Sequence, residues 1–422
     1  MRILESRNRG AIARLVRPAV RPDAAFERRV RRIIETVRTG GDAGLLRLSR
    51  RYDGHTKSIE VTHSEIEAGA RLVSSDVRRA IRQAAANIAR VAYRQVPRHF
   101  DLEVQPGVVV EQRVEPLARV GCYVPGGRFP LPSSLLMTVV PARVAGVREI
   151  VVACPRPEPP VLAAALEAGV TRLLRVGGAH AIGALAYGTR TISRVDKIVG
   201  PGNRYVAAAK AIVAGDRRDC AIDFYAGPTE IVVVAGDSNP AWVAADLVAQ
   251  AEHDTDARSI LITWRRSFAN RVRALVERLT DPRSVARRSL RKHGALIIAS
   301  DAADAMEVAN QLAPEHLVVE HERFLRGSIV AGAVFVGPWS AQAAGDYATG
   351  SNHVLPTAGA ARVRGGLSAA DFVRVMSVQR ISRAGLNGLA PTILSLARAE
   401  GLSHHAASVE VRLARQQRLN QP

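Results

Sequence analysis

Two short motifs contain side chains of types that could transfer protons or bind a metal ion. Gln250 and His253 are three residues apart at the end of a predicted helix over 240–252. Residues with this spacing share one helix face, so an amide oxygen and an imidazole could ligate the same metal. The alternative interpretation is an ordinary polar helix end.

Glu315 and His316 form the second motif, at the point where a predicted helix over 302–312 gives way to a predicted strand over 317–320. A carboxylate beside an imidazole offers two groups that titrate near neutrality when their environments differ. Glu-His dipeptides are common, however, so the motif is weak by itself.

Polar residues also concentrate in two later segments. Asp346 and His353 lie in a glycine-bearing loop, and Glu400 precedes His404-His405 near the C-terminus. Polar loops are normally solvated. Loops that combine Asp, Asn and His are nevertheless where sites on α/β sheets occur.

Three glycine-rich turns could approach a ligand. Val176-Gly-Gly-Ala-His180 and Gly200-Pro-Gly-Asn203 each connect a predicted strand to a predicted helix. Glycines allow a ligand to reach the backbone, and a helix N-terminus attracts anions. Neither turn matches G-x-G-x-x-G. Each could be only a tight turn, and the two together make a dinucleotide site an equal alternative. Tyr123-Val-Pro-Gly-Gly127 is the third, followed by Arg128, which could meet an anion or face solvent.

The elements that carry these residues alternate between strand and helix. Strands and helices follow one another over 149–214 and again over 230–312, which predicts parallel sheets with right-handed crossovers. We therefore predict an α/β fold with two Rossmann-like, doubly wound parallel-sheet domains, a boundary near 226–229, and a helical C-terminal tail. A long helix over 24–52 is expected to break at Gly40-Gly41.

Composition narrows the class of protein. The 422 residues are 47% hydrophobic and 23% charged, which excludes a disordered or collagen-like chain. The formal charge is +20, but the basic residues are spread without a dense basic tail or an RNA-binding aromatic signature. We expect them to cover solvated faces rather than to bind nucleic acid.

Cysteine usage and hydropathy predict the compartment. The three cysteines are far apart and form no C-x-x-C motif, which fits free thiols in a reducing cytoplasm. No stretch of about 18 apolar residues is found, so we expect no transmembrane helix. The arginine-rich N-terminus has no apolar segment typical of a signal peptide.

The chain resembles the histidinol dehydrogenases, zinc-dependent enzymes that close histidine biosynthesis. The resemblance covers nearly the whole length. It rests on motifs that occur in the family's order: Tyr123-Val-Pro-Gly-Gly, Arg175-Val-Gly-Gly-Ala, Ala184-Leu-Ala-Tyr-Gly, Lys197-Ile-Val-Gly-Pro-Gly-Asn203, Ala226-Gly-Pro, Gln250-Ala-Glu-His253, Ala313-Pro-Glu-His-Leu317, Gly345-Asp-Tyr, Asn352-His-Val-Leu-Pro-Thr357 and Glu400-Gly-Leu.

The resemblance implies a role for each matching residue. His316 would take the alcohol proton, and Glu315 would activate water in a second step. The zinc ligands would be Gln250, His253, Asp346 and His405. The nucleotide contacts would be Tyr123, His180 and Asn203. The substrate would contact the zinc ligands and the catalytic pair and, in addition, Thr229, His353 and Glu400.

The resemblance also implies an activity and an assembly. The activity is NAD-dependent oxidation of a primary alcohol, of the L-histidinol to L-histidine type, through a bound aldehyde to a carboxylate, with one Zn²⁺ per subunit. The assembly is a homodimer with shared active sites. We accordingly predict a discontinuous domain of 1–121 and 229–367 with the metal and catalytic residues, a nucleotide-binding domain of 122–228, and a tail of 368–422 that packs on the partner subunit.

Four positions depart from the biosynthetic pattern. His180 replaces a usual Gln, Thr229 replaces a usual Ser, and Arg128 with Phe129 replaces Thr or Ser with a small residue. The chain therefore also resembles paralogues that oxidise other, possibly anionic alcohols, such as dihydroxypropanesulfonate, where an Arg would suit the anion. NAD versus NADP and zinc versus manganese stay open. The intact metal ligands and catalytic pair argue against a non-enzyme nucleotide-binding protein.

Overall fold

The computed structural model describes residues 1–16, 23–54, 58–127, 129–216, 220–225 and 227–414. The strands, in chain order, are β1 (Arg2–Glu5), β2 (Glu60–Val61), β3 (Phe100–Gln105), β4 (Val108–Pro116), β5 (Arg119–Tyr123), β6 (Glu149–Ala153), β7 (Arg172–Leu174), β8 (Lys197–Val199), β9 (Ala221–Ile222), β10 (Glu230–Val234), β11 (Arg258–Thr263), β12 (Ala295–Ile298), β13 (His316–Val319), β14 (Ala333–Val336) and β15 (Val373–Ile381).

The α-helices connect these strands for the most part. They are α1 (Arg9–Val16), α2 (Ala24–Tyr52), α3 (His63–Arg71), α4 (Ser75–Gln95), α5 (Pro132–Val144), α6 (Pro159–Ala168), α7 (Gly178–Tyr187), α8 (Arg204–Gly215), α9 (Pro240–Ala251), α10 (Arg266–Leu279), α11 (Val285–Lys292), α12 (Ala302–Leu312), α13 (Gln342–Tyr347), α14 (Arg383–Ala399) and α15 (Ser403–Leu413).

The chain forms two compact units. Unit 1 comprises 1–95 and 117–372, and unit 2 comprises 96–116 and 373–422. Unit 1 contains two six-stranded sheets, with the strand orders β1-β12-β11-β10-β13-β14 and β2-β7-β6-β5-β8-β9. Unit 2 contains the three-stranded antiparallel sheet β15-β4-β3 and the helices α14 and α15.

The first sheet of unit 1 is entirely parallel and buried on both faces. β10 is a run of buried residues, as expected for a strand covered by helices on both sides. Ile231 and Val233 pack with α9, α10 and α11, whereas Val232 and Val234 point to the opposite face and pack with α1 and α12. The alternation of side chains along a strand produces these two layers.

The second sheet is parallel apart from its edge strand β2, which runs antiparallel to β7. Helices α2, α7 and α8 supply the buried aliphatic residues on one face. α2 loses helical geometry at Gly41, where φ is +53°, so the predicted break is confirmed. β5 begins at Arg119, upstream of residue 122, where we predicted the nucleotide-binding domain to start.

The predicted α/β class with parallel sheets and a helical C-terminus is confirmed, whereas the division into domains stays a prediction. The segment 373–381 was expected to be helical tail but forms β15, which pairs along its whole length with β4. β-branched Val and Ile residues favour this pairing. Among the described residues, no helix combines the length and apolar character required to cross a bilayer.

The three cysteines provide a test of the packing. Cys122, Cys154 and Cys220 are free and buried, and burial raises the pKa of each thiol to about 12. Because the thiolate is the reactive form, we expect no thiol to react with an aromatic disulfide reagent at pH 8 in the native protein. All three should react in 6 M guanidinium. A stoichiometric reaction of the native protein would contradict this packing.

Candidate active site

The site is built on the pairing of β10 with β13. Ile231 lies opposite His316 in this parallel pair, so Glu315, the residue before β13, lies beside Thr229 and Glu230. The Thr229 hydroxyl donates to Glu315 Oε2 at 2.5 Å, and the backbone N–H of Glu230 donates to the same oxygen at 2.8 Å. Two donors therefore hold one buried carboxylate at the start of the strand.

The surroundings of Glu315 change its acidity. Burial raises the pKa of Glu315 to about 8, and the negative charge of Asp346 contributes in the same direction. The hydrogen bonds from Thr229 and Glu230 oppose this rise. A carboxyl group with a pKa near the working pH can both accept and return a proton, as a general base requires.

His316 is buried beside this carboxylate. Its Nδ1 lies 3.2 Å from the backbone oxygen of Glu230 and 3.6 Å from Glu315 Oε2, and its Nε2 lies 3.8 Å from Asp346 Oδ1. We assign the ring proton to Nδ1, donated to the Glu230 oxygen, which leaves Nε2 as the acceptor. Burial lowers the pKa of His316, against the effect of Asp346, so the ring is neutral at neutral pH.

Asp346 connects this pair to the following loop. Gln342 Nε2 donates to Asp346 Oδ2 at 2.9 Å, and His353 Nδ1 lies 3.0 Å from the backbone oxygen of Asp346. The Ser134 hydroxyl lies 3.4 Å from His353 Nε2. Burial lowers the pKa of His353, against the effects of the Asp346 carboxylate and of the contact with the Asp346 backbone oxygen. The structure thus brings Asp346 and His353 to the Glu315-His316 pair, but Asp346 lies on α13 and not in a loop as we predicted.

Gln250 is buried near the C-terminal end of α9 and is oriented by Thr229. Its Nε2 donates to the Thr229 hydroxyl, while its Oε1 is buried and has no hydrogen-bond partner within the described residues. A buried polar atom without a partner requires an explanation, and an absent ligand is one. His253 follows two residues after the helix and is exposed in the chain.

The predicted residues of the tail belong to unit 2. Glu400 is the C-cap of α14, and His405 lies in the first turn of α15; both side chains are exposed. Within the described part of the chain, no three His, Cys, Asp or Glu side chains are gathered as a metal ion would hold them. The single chain therefore assembles part of the predicted ligand set.

The turn at Gly177-Gly178 has its backbone donors filled by the protein. Gly178 N–H donates to the buried Tyr123 hydroxyl at 3.0 Å, and Gly177 N–H donates to Asp53 Oδ2 at 3.2 Å. The same Asp53 oxygen lies 2.8 Å from His180 Nε2. These contacts occupy the start of α7, where an anion would otherwise bind. Sequence analysis missed Asp53 because no local motif connects it to His180.

Asn203 holds the start of α8 next to the second predicted turn. Its side-chain oxygen accepts from the N–H groups of Tyr205 and Val206 at 2.9 and 3.3 Å. An asparagine at this position is a favourable N-cap, and its Nδ2 group is the part that could donate to a ligand. Arg128, for which we expected an anion or solvent contact, lies outside the described residues.

Comparisons with known proteins agree on one family. The family model for histidinol dehydrogenase matches residues 17–413. The chain belongs to the histidinol dehydrogenase family. The histidinol dehydrogenase of Methanothermobacter thermautotrophicus is 44% identical, with 90% of this chain and 92% of that protein covered. That of Geobacter sulfurreducens is 45% identical, with 90% and 92% covered.

A solved structure extends this result to the fold. The crystal structure of histidinol dehydrogenase from Elizabethkingia anophelis superposes with a TM-score of 0.92 and 34% identity, covering 98% of both chains. The histidinol dehydrogenase family generally uses zinc. The partnerless Gln250 Oε1, the Asp346 carboxylate and the His253 imidazole are oxygen and nitrogen donors that fit this metal.

The contacts of Thr229 lead to a testable prediction for the candidate site. Its hydroxyl donates to Glu315 and accepts from Gln250, so it orients a side chain that we predict to ligate zinc without being a predicted ligand itself. We expect Thr229→Val to weaken zinc affinity about 10- to 100-fold, as is typical when the support of a metal ligand is lost. Thr229→Ser keeps the hydroxyl and serves as the matched control. Chelator competition followed by elemental analysis measures both; equal affinities in the two variants would contradict the role.

Proposed function

We propose that this protein oxidises L-histidinol through a bound aldehyde to L-histidine, with zinc and NAD as cofactors. The single observation that carries the proposal is the buried Glu315-His316 pair, held between β10 and β13 next to Asp346. Membership of the histidinol dehydrogenase family supplies the substrate. Within this proposal, Gln250, His253 and Asp346 of one chain hold the zinc.

The first oxidation needs a base for the alcohol proton. His316 is suited to this step because its ring is neutral, its Nδ1 is engaged with Glu230, and its Nε2 is directed toward Asp346. When bound, zinc would supply a positive charge that favours loss of the alcohol proton, and NAD would supply the hydride acceptor for each oxidation.

The second oxidation needs a base for water. Glu315 is suited to it because its pKa of about 8 allows proton transfer near neutral pH. Its Oε2 already accepts from Thr229 and Glu230, so Oε1 is the oxygen that can take the proton of water. The aldehyde hydrate formed in this way loses a second hydride, and the carboxylate results.

The substrate and the nucleotide contacts follow the family residues. We propose that Thr229, His353 and Glu400 contact substrate, and that Tyr123, His180 and Asn203 contact the nicotinamide nucleotide. Tyr123 supports this assignment because it contacts Gly178, two residues before His180. The pairing of His180 with Asp53 supports a rigid role for this imidazole beside the nucleotide.

A substrate panel tests the proposed function directly. Zinc-loaded protein should form two NADH per L-histidinol, and little or none from dihydroxypropanesulfonate. NADH formation and L-histidine production are the measurements. Turnover of the sulfonate without turnover of L-histidinol would contradict the proposal and favour the paralogue alternative.

Glu315→Gln separates the two oxidations. The amide keeps the size of the side chain but cannot take a proton from water, so oxidation of histidinal should fall at least about 100-fold, the usual contribution of a general base. Oxidation of L-histidinol to the aldehyde should fall much less. Single-turnover NADH formation from each substrate measures the difference, and equal losses on both would contradict the division of roles.

We propose a homodimer in which the tail of one chain completes the partner's site, with His405 as the remaining zinc ligand. Exposed apolar side chains in unit 2 support an interface there. Phe100 and Leu102 alternate along β3, which places them on one face, and they are 46% and 53% exposed.

Subunit mixing tests this arrangement. His405→Ala and His253→Ala chains should each be inactive alone. In a mixed dimer with shared sites, one site combines both defects and the other has neither, so activity should return after exchange. The measurement is NADH formation before and after exchange; no recovery in verified mixed dimers would place both ligands within one chain.

A further inference from the structure

A buried ion pair lies behind the second glycine-rich turn of the second sheet. Lys210, on α8, is only 2% exposed, and its ammonium forms an ion pair with the fully buried carboxylate of Asp223. Lysine is rare in this chain, at four of the 59 Lys and Arg residues. A compact ammonium fits an enclosed position where the planar guanidinium of arginine would require more space.

The ion pair contacts both sides of one peptide. Lys210 Nζ donates to the backbone oxygen of Gly200 at 3.0 Å, and Gly200 N–H donates to Asp223 Oδ2 at 2.8 Å. The other carboxylate oxygen, Oδ1, accepts from the N–H of Phe224 at 2.7 Å. Every polar group of the pair thus has a partner, and Gly200 is held through its N–H and its carbonyl together.

Gly200 is also pressed against Tyr123. Its φ is +112°, and a Cβ atom at this position would lie 2.2 Å from the backbone oxygen of Tyr123. Asn203 follows three residues later and begins α8. Gly200 therefore lies against Tyr123 and three residues before Asn203, and we assign both of these residues to the nucleotide.

Burying two charges is costly, and apolar residues of similar volume often stabilise a core at least as well. An ion pair at this position therefore requires an explanation beyond stability. We propose that Lys210 and Asp223 are positioning residues for NAD: they hold the 200–203 turn in the conformation that presents Tyr123 and Asn203 to the nucleotide. This inference rests on the proposed NAD-dependent function.

The test compares Lys210→Met with a matched control, Lys197→Met. Lys197 belongs to β8 of the same sheet and also donates to a backbone oxygen and a carboxylate, both of Asp371, at 2.8 and 3.2 Å. It does not contact the turn through its side chain. Both variants lose a charged hydrogen bond, so both should melt at a lower temperature than the parent protein.

The affinity for NAD distinguishes the Lys210→Met variant from the Lys197→Met variant. By titration calorimetry with NAD alone, Lys210→Met should bind roughly tenfold more weakly, and its KM for NAD should rise by a similar factor with kcat at saturating NAD retained. Lys197→Met should keep the parent values. Parent affinity in Lys210→Met, or an equal loss in both variants, would overturn the positioning role.

A double variant separates positioning from stability. Asp223→Asn alone leaves the Lys210 charge buried without a counterion, whereas Lys210→Met with Asp223→Asn removes both charges and should restore much of the stability. Weak NAD binding in this stabilised double variant supports the inference, and parent affinity would overturn it. Failure of the parent protein to bind NAD or to oxidise L-histidinol would instead reject the proposed function.

Discussion

The parallel register between β10 and β13 is the constraint on which the site depends. It places the Glu315 carboxylate against the Thr229 hydroxyl and the Glu230 N–H, two donors without which a buried carboxylate would be costly. Thr229 in turn orients Gln250, whose oxygen is left for a ligand. A shift of one residue in this register would turn His316 to the opposite face of the sheet. The pairing that stabilises the sheet therefore also determines the geometry of the chemistry.

Side-chain oxygens of the protein accept hydrogen bonds from backbone N–H groups at positions where many α/β proteins bind phosphate. Asp53 accepts from Gly177 at the start of α7, and Asn203 caps α8. In the first sheet, Glu320 Oε2 accepts from three successive N–H groups of 236–238, at 2.9–3.0 Å, in the loop before α9. These contacts stabilise the loops without a bound anion. Under the proposed NAD-dependent function, recognition of the nucleotide would then depend more on turn shape and side chains than on vacant helix N-termini.

Sequence reasoning succeeded where the signal is local. The helix over 302–312 was predicted with its observed bounds, and the features that define it in the structure, its amphipathic spacing and its N-cap Asp301, are local in the sequence. The contacts that complete the site join distant segments. Asp53 is 127 residues from His180, and no spacing rule connects them. β15 lacks a clear alternation, so its pairing with β4 was visible only in the folded chain.

Burial shifts the pKa values of Glu315 and His316 in opposite directions. Loss of water disfavours the charged form of each group, so it raises the pKa of Glu315 and lowers the pKa of His316. The negative charge of Asp346 raises both pKa values, because it repels the Glu315 carboxylate and attracts the His316 imidazolium. Burial therefore leaves a carboxyl group that retains its proton to a higher pH beside an imidazole that stays neutral. The contacts of the two groups then distinguish their proposed roles. Nε2 of His316 faces Asp346, whereas Oε2 of Glu315 is already hydrogen-bonded and Oε1 is left for water.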